Sequence, residues 1–246
     1  MKLAEPASAV NSSTRSPKNE DISVTASSIL AARVSFAAAA AFLVLLATLH
    51  VIKPELDPSW RMGSEYAIGD YGWVMRIAFF LMALSCVALF AALRSEIETI
   101  DGRIALGLLL VVAAALVVGG TFVVDPVTTK PEDMTTHGVL HSLAGAIFTP
   151  SLPIAGVLLS RSLGRRQAWR AAMRSIRWTA HFMWISVAIT LVHLITVLSS
   201  GRVFGPGSWN GWLNRLVVLS YCAWLMTVSW RAIQLRKNAV DASASV

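Results

Sequence analysis

Apolar and polar positions fall along this chain in long blocks. Six apolar runs cover residues 29–51, 70–93, 104–124, 138–160, 177–199 and 209–230, with short polar stretches between them. Each run is close to the ~20 residues that a helix needs to cross the hydrocarbon of a bilayer. Strands of a membrane β-barrel would be about half that length and would alternate in polarity. The pattern predicts an all-α polytopic membrane protein. A six-transmembrane-helix bundle would occupy residues 29–235, with a flexible cytoplasmic tail over 1–28 and a short one over 236–246. The polar lead is too long for a secretory signal, and the run behind it is long enough to span.

Composition strengthens this picture. The chain has 246 residues, 55% of them hydrophobic and 14% charged, against about 25% charged in soluble domains. That leaves no room for a large soluble domain. The formal net charge is +7, and its distribution sets an orientation. Fifteen Lys and Arg fall in the N-terminal tail, the second loop, the fourth loop and the C-terminal tail; five (Lys53, Arg61, Lys130, Arg202 and Arg215) fall on the other side. Cytoplasmic loops carry the excess of Lys and Arg, so both termini are expected in the cytoplasm of a cell, or inner, membrane. The same rule accounts for the basic balance without nucleic acid. It also makes the cluster Arg161, Arg165, Arg166, Arg170, Arg174 and Arg177 a topogenic loop that meets anionic lipid. Trp60, Trp73, Trp209 and Trp212 would mark the outer interface, and Trp169, Trp178 and Trp230 the inner one.

Two cysteines, Cys86 and Cys222, lie inside apolar runs and read as small buried hydrophobes. The sequence contains no P-loop, GxGxxG, HExxH or GxSxG motif. ATP-driven transport by this chain alone, zincin proteolysis and the usual serine hydrolase layout are thereby set aside. None of the six runs carries an acid near its middle, which counts against a proton-coupled transporter.

The stretch DPVTTKPEDMTTHGVLH, residues 125–141, is where chemistry concentrates. An uncharged run ends at Asp125, and the next begins with His137 and His141, four apart and on one face of a helix. Ionisable groups at the edge of hydrocarbon are costly and are functional candidates. On the predicted topology His50, Glu65, Asp125, His137, His141 and His193 share the outer end, with Asn214 and Arg215 opening the sixth helix. Gly138, Ser142, Gly145, Thr149 and Gly156 form a stripe of small residues along helix four, flanked by the two histidines. Three readings stay open. His137 and His141 could share a zinc ion with Asp125 and His193, leaving a position for an activated water, as in an intramembrane hydrolase. They could hydrogen-bond to Asp125 or Glu65 and tie helix ends together. They could also handle protons or a ligand. Glu65 and Arg215 could pair with each other, or Arg215 with Asn214 could hold a negative group of a substrate.

The segments LHVIKPELDPSWRMGSEYAIGDYGWVMRIAFF, FVVDP with THGVLH, and NGWLNRLVVLSYCAW resemble the six-helix membrane family catalogued as domain of unknown function 998, over roughly residues 30–235. The matching positions are Asp57 with Pro58, Ser64 to Tyr66, Gly69, Asp125, His137 with Gly138, His141, Gly211 and Asn214 with Arg215. The family more often carries Gln before that Arg, so Asn214 departs from it. The resemblance implies a fold and a set of candidate residues, and no activity. The expected function is an extracytoplasm-facing polar site, metal-dependent in one form, acting on a lipid-like or apolar small molecule. Glu65, Asp125, His137 and His141 would be its acid, base or ligand groups. The alternative is a non-catalytic permease-like, export or assembly partner in which the same residues are structural.

Overall fold

The computed structural model describes residues 17–201 and 204–244. The tail residues 1–16 and Arg202, one of the five cations counted on the outer side, lie outside the described residues. Six long helices account for most of the chain: α1 (Pro17–Ile52), α2 (Gly72–Leu93), α3 (Ile100–Thr121), α4 (Thr136–Gly164), α5 (Met173–Ser199) and α6 (Asn210–Ala244). All six are long and apolar enough to cross a membrane. Their cores coincide with the six apolar runs. The ends differ, because polar residues extend a helix once it has left hydrocarbon: α1 starts at Pro17 and α6 continues to Ala244.

Each helix packs on its neighbour in sequence, and α6 returns to pack on α1. The bundle is thus a closed ring of alternating direction. α6 also touches α2 and α4, so its Trp224 and Tyr221, both fully buried, fill the middle with Phe42, Met82, Leu109 and Leu152. α5 is the outermost helix. Its apolar window is 17% buried, against 50% for those of α2, α3 and α6, so most of its face is left for lipid.

Hydroxyl pairs tie the ring together where no water can satisfy them. Ser35, Ser85 and Ser229, all fully buried, link α1, α2 and α6. The Ser229 hydroxyl donates to Ser35 Oγ at 2.8 Å, and Ser85 Oγ donates to the Ser35 carbonyl at 2.8 Å. Ser186 and Ser220 join α5 to α6 at 2.9 Å. In α4, Pro150 and Pro153 interrupt the helical ladder. Pro153 has no N–H, so the carbonyl four residues back, Thr149, has no helical donor. The Tyr221 hydroxyl of α6 donates to that carbonyl. A break in one helix is repaired by a neighbour.

The small residues of α4 do not form one seam. Gly138 and Gly156 are tight: a Cβ on Gly138 would stand 2.0 Å from Asp125 Oδ2, and one on Gly156 2.6 Å from Met183 Cε. Gly145 meets nothing within 4 Å, and Ser142 is exposed. The close approach of α3 to α4 comes instead at Gly102, where a Cβ would stand 2.4 Å from Ser162 Oγ.

One end of the bundle is basic. There Arg166 pairs with Glu96 at 3.5 Å and with Glu98, Arg165 with Asp101 at 3.6 Å, and Arg236 with Glu96 at 3.7 Å. The cationic loop is therefore partly neutralised by acids of the loop between α2 and α3 and of the first turn of α3. Trp178 and Trp230 are exposed near this end, but Trp169 is 2% exposed and packs into the bundle, where a short 3-10 turn, Gln167–Ala172, folds it inward. The other end, where α1, α3 and α5 finish and α2, α4 and α6 begin, is called the mouth below.

Candidate functional site

The loop between α1 and α2 folds back over the mouth, and a 3-10 turn over Gly63–Ala67 carries its centre. Glu65 on that turn is completely buried. Its Oε1 accepts from Arg61 Nη1 at 2.7 Å and from the Val127 amide at 3.0 Å, and its Oε2 accepts from the Met62 amide at 2.6 Å. One carboxylate thus closes its own turn and fastens the α3–α4 loop to it. Charge-assisted bonds to backbone donors are the strong kind. Glu65 pairs with Arg61, not with Arg215.

α6 starts directly beneath this loop. The Gly211 amide donates to the Ser59 carbonyl at 3.0 Å. A Cβ at Gly211 would stand 2.4 Å from the Pro58 carbonyl oxygen and 2.6 Å from that of Arg61, so only glycine fits the crossing. Asn214 Oδ1 accepts from the Gly63 amide at 3.0 Å, and Asn210 Nδ2 donates to Met62 Sδ at 3.3 Å. Asp57 holds the start of the loop through the Ser59 amide at 2.8 Å. Hydrogen bonds from Ser59 keep the Asp57 carboxyl below its usual range, with a smaller contribution from the Arg215 charge.

Arg215 is 4% exposed. Its Nε donates to His50 Nε2 at 2.7 Å, and its Nη1 donates to the carbonyls of Arg61 at 2.7 Å and Gly211 at 3.0 Å. Its Nη2 is buried with no partner among the described residues. His50 Nδ1 in turn donates to the Leu46 carbonyl at 2.7 Å, which leaves Nε2 as the acceptor that Arg215 needs. The guanidinium lies 5.4 Å from the centroid of the Tyr66 ring. Lys53, 3% exposed, donates to the backbone carbonyls of Tyr66, at 3.4 Å, and of Ile68.

On the far side of the mouth, Asp125 accepts from the Thr135 amide at 2.7 Å and from the Thr135 hydroxyl at 3.0 Å. Thr135 caps α4 through the Gly138 amide at 3.0 Å. The carboxylate therefore stands at the positive end of α4. His141 is buried at the same helix start. Its Nδ1 faces the carbonyls of Gly119 and Phe122, both at 2.9 Å, at the end of α3. Only an N–H satisfies two carbonyls, so Nδ1 carries the proton and, in the neutral ring, Nε2 is the acceptor. His137 is exposed and meets the Phe122 ring edge-on at 5.3 Å. His193 lies on α5 with its Nε2 buried and unpartnered.

These positions do not assemble the zinc set expected from Asp125, His137, His141 and His193. Among the described residues no three of His, Cys, Asp and Glu stand close enough together to hold a metal ion. The physical reason is visible: Asp125 serves a helix start, His141 serves two carbonyls, and His193 is on a helix that leans to the outside of the ring. The chain brings Asp125, Thr135 and Gly138 together, and separately Glu65, Arg61, Asn214 and Arg215.

Between these two groups lies a cavity of about 120 Å3. Phe42, Met82, Leu116 and Val217 form its apolar wall, and Ser64, His141, Thr149 and Asn214 supply its polar positions. Sequence reasoning missed Lys53 and Arg61 as site residues, counting them only for topology. A Lys two residues past an apolar run and an Arg four before a Glu were the available signals.

No curated protein and no solved structure matches the chain. The model of the family described as a protein of unknown function, DUF998, matches residues 36–231, a stretch that takes in all six spans, the mouth loop, both histidines of α4 and Arg215. The chain belongs to the DUF998 family.

Proposed function

We propose that this membrane protein takes an apolar or lipid-like small molecule into the cavity at its mouth, and that the mouth faces away from the cytoplasm in a cell, or inner, membrane. The single observation that carries the reading is the cavity itself: about 120 Å3 of space, reached by five of the six helices, with His141 and Asn214 at its edge. Membrane cores are packed closely, and a retained void beside an oriented imidazole is a place for a ligand. A cavity of about 150 Å3 takes benzene, so the space accepts a ring or a short chain end. His141 is the group positioned to accept a hydrogen bond or a proton from it. Glu65 and Asp125 hold loops with their oxygens already engaged. No hydrogen bond among the described residues joins His141 to the hydroxyl of Ser64 or Thr149, so the reading is binding, without a covalent step. The distribution of Lys and Arg supports the orientation.

The test uses the purified protein in detergent. Benzene should raise the unfolding temperature saturably, as any ligand of the native state does, and Val218→Phe, which fills the cavity from α6, should abolish the rise while the variant stays folded. No rise in the wild type, or an equal rise in both, overturns the reading. A second reading, a permease-like or assembly partner in which these residues lock the bundle, is favoured by the bonds of Glu65 and Asp125 to backbone amides. It expects no benzene effect and loss of folding on replacing either acid.

A further inference from the structure

Arg215 is a buried cation with no anion in contact: the Asp57 carboxylate feels its charge but forms no ion pair with it. Three of its five N–H groups have partners, the His50 ring nitrogen and the carbonyls of Arg61 and Gly211, and none of those partners is charged. Nη2 has none at all. Among the described residues every ion pair involves other groups, and Glu65, the nearest buried acid in sequence to this loop, is taken by Arg61. Lys53 adds a second buried cation that meets only carbonyls, and it shares Tyr66 with Arg215. Leaving a charge unpaired away from water costs several kcal/mol, so this corner of the mouth is built for a negative group from outside the chain.

The surroundings say what carries that group. Arg215 is part of the wall of a groove of about 460 Å3 between α1 and α6. Leu43, Leu46 and Ala47 of α1 and Leu216 and Leu219 of α6 line its length, and His50, Trp212 and Arg215 lie at its mouth end. On α1 these positions are spaced three and four apart, so they make one stripe that runs along the helix for about 10 Å. Leu219 and Trp212 are each nearly half exposed, which puts the groove on the lipid-facing surface. An apolar trench that ends at an unpaired guanidinium, with an indole at interface depth, matches an acyl chain joined to an anionic head.

We propose that the α1–α6 groove binds an anionic phospholipid of the leaflet at the mouth. One acyl chain lies along the groove, and the phosphate sits at its Arg215 end, held by the guanidinium charge. This site is separate from the internal cavity, and the proposal does not rest on the reading of that cavity; Leu46, which borders both, is the wall between them.

The experiment is native mass spectrometry of the full chain, released from detergent with phosphatidylglycerol or phosphatidylcholine of identical acyl chains. Wild type should retain phosphatidylglycerol about tenfold better, because phosphatidylcholine carries the same phosphate but adds a quaternary ammonium that the Arg215 charge repels. Arg215→Gln should lose that preference and Arg215→Lys keep part of it. Arg215 also holds the loop, so its variants can fail to fold. Ala47→Trp, at an exposed position in the groove, leaves Arg215 intact and should weaken retention of both lipids. Inorganic phosphate at millimolar concentration should not displace the lipid. Equal retention of the two lipids by wild type, undiminished retention by Ala47→Trp, or full displacement by inorganic phosphate would each overturn the proposal. Benzene binding to the internal cavity should be unchanged in Ala47→Trp, so the two sites fail or stand independently.

Discussion

Replacing Glu65 by alanine is the sharpest probe of how the mouth is held. The side chain is fully buried and serves three donors: Arg61 at 2.7 Å and the amides of Met62 and Val127 at 2.6 and 3.0 Å. Truncation strands two backbone N–H groups, each costing about 1–3 kcal/mol when left buried without a partner. Arg61 is partly exposed and can turn to water, so the surviving cation adds little. The expected loss is about 2–6 kcal/mol, from the two stranded amides. By the scaling of soluble domains of this size, about 2–4 °C per kcal/mol, that is a fall of roughly 10 °C in unfolding temperature. Glu65→Gln keeps an acceptor for one amide and should fall by less. Arg61→Ala leaves the buried carboxylate without its cation and should also fall, but by less than Glu65→Ala, because both amides stay satisfied. Thermal unfolding in a single detergent measures all three, and hydrogen exchange at Val127 reports whether the α3–α4 loop is released. If Arg61→Ala proves more damaging than Glu65→Ala, or if Val127 exchanges no faster in Glu65→Ala, the carboxylate is not the clamp described here.

Other expectations follow the same logic. Gly211→Ala places a methyl group 2.4–2.6 Å from two carbonyl oxygens, so it should cost about 1–3 kcal/mol as an overpacked site, read as a lower unfolding temperature. Tyr221→Phe removes the donor to the Thr149 carbonyl and should cost about 1–3 kcal/mol; Pro153→Ala, which restores a helical N–H to that carbonyl, should recover part of the loss in the double variant. Asp57 has a depressed folded-state pKa, so its contribution is complete above the unfolded value of about 4 and is lost as pH falls below it. A pH series of unfolding temperatures from 6 to 3 should therefore drop more steeply for wild type than for Asp57→Asn.

The six spans were legible because hydrocarbon imposes one requirement, about 20 apolar residues in a row, that sequence displays directly. The gathering of Glu65, Asp125, His141 and Arg215 at one end was legible for the same reason, since all four sit at the edges of those runs. Their partners were not. His141 and Arg215 bond mainly to backbone carbonyls, and every residue has one, so no side-chain pattern announces the choice. The pairing of Glu65 with Arg61 depends on a 3-10 turn in a loop that reads only as polar. The zinc reading failed at this level: helix periodicity put His137 and His141 on one face but could not show that one ring would be claimed by the end of α3 while the other stayed outside against Phe122.

The ring closes where its last helix meets its first. Ser229 reaches Ser35 across 194 residues of chain, and Arg215 reaches His50 across 165. A ribosome delivers these segments in order, so α1 waits in the bilayer with the outer nitrogen of its His50 imidazole unanswered until α6 is made. Every earlier stage of insertion is an open arc, and the final segment supplies both the centre of the barrel-like assembly and the lock on its rim. Nascent chains arrested before Asn210 should therefore be the form that quality-control proteases recognise.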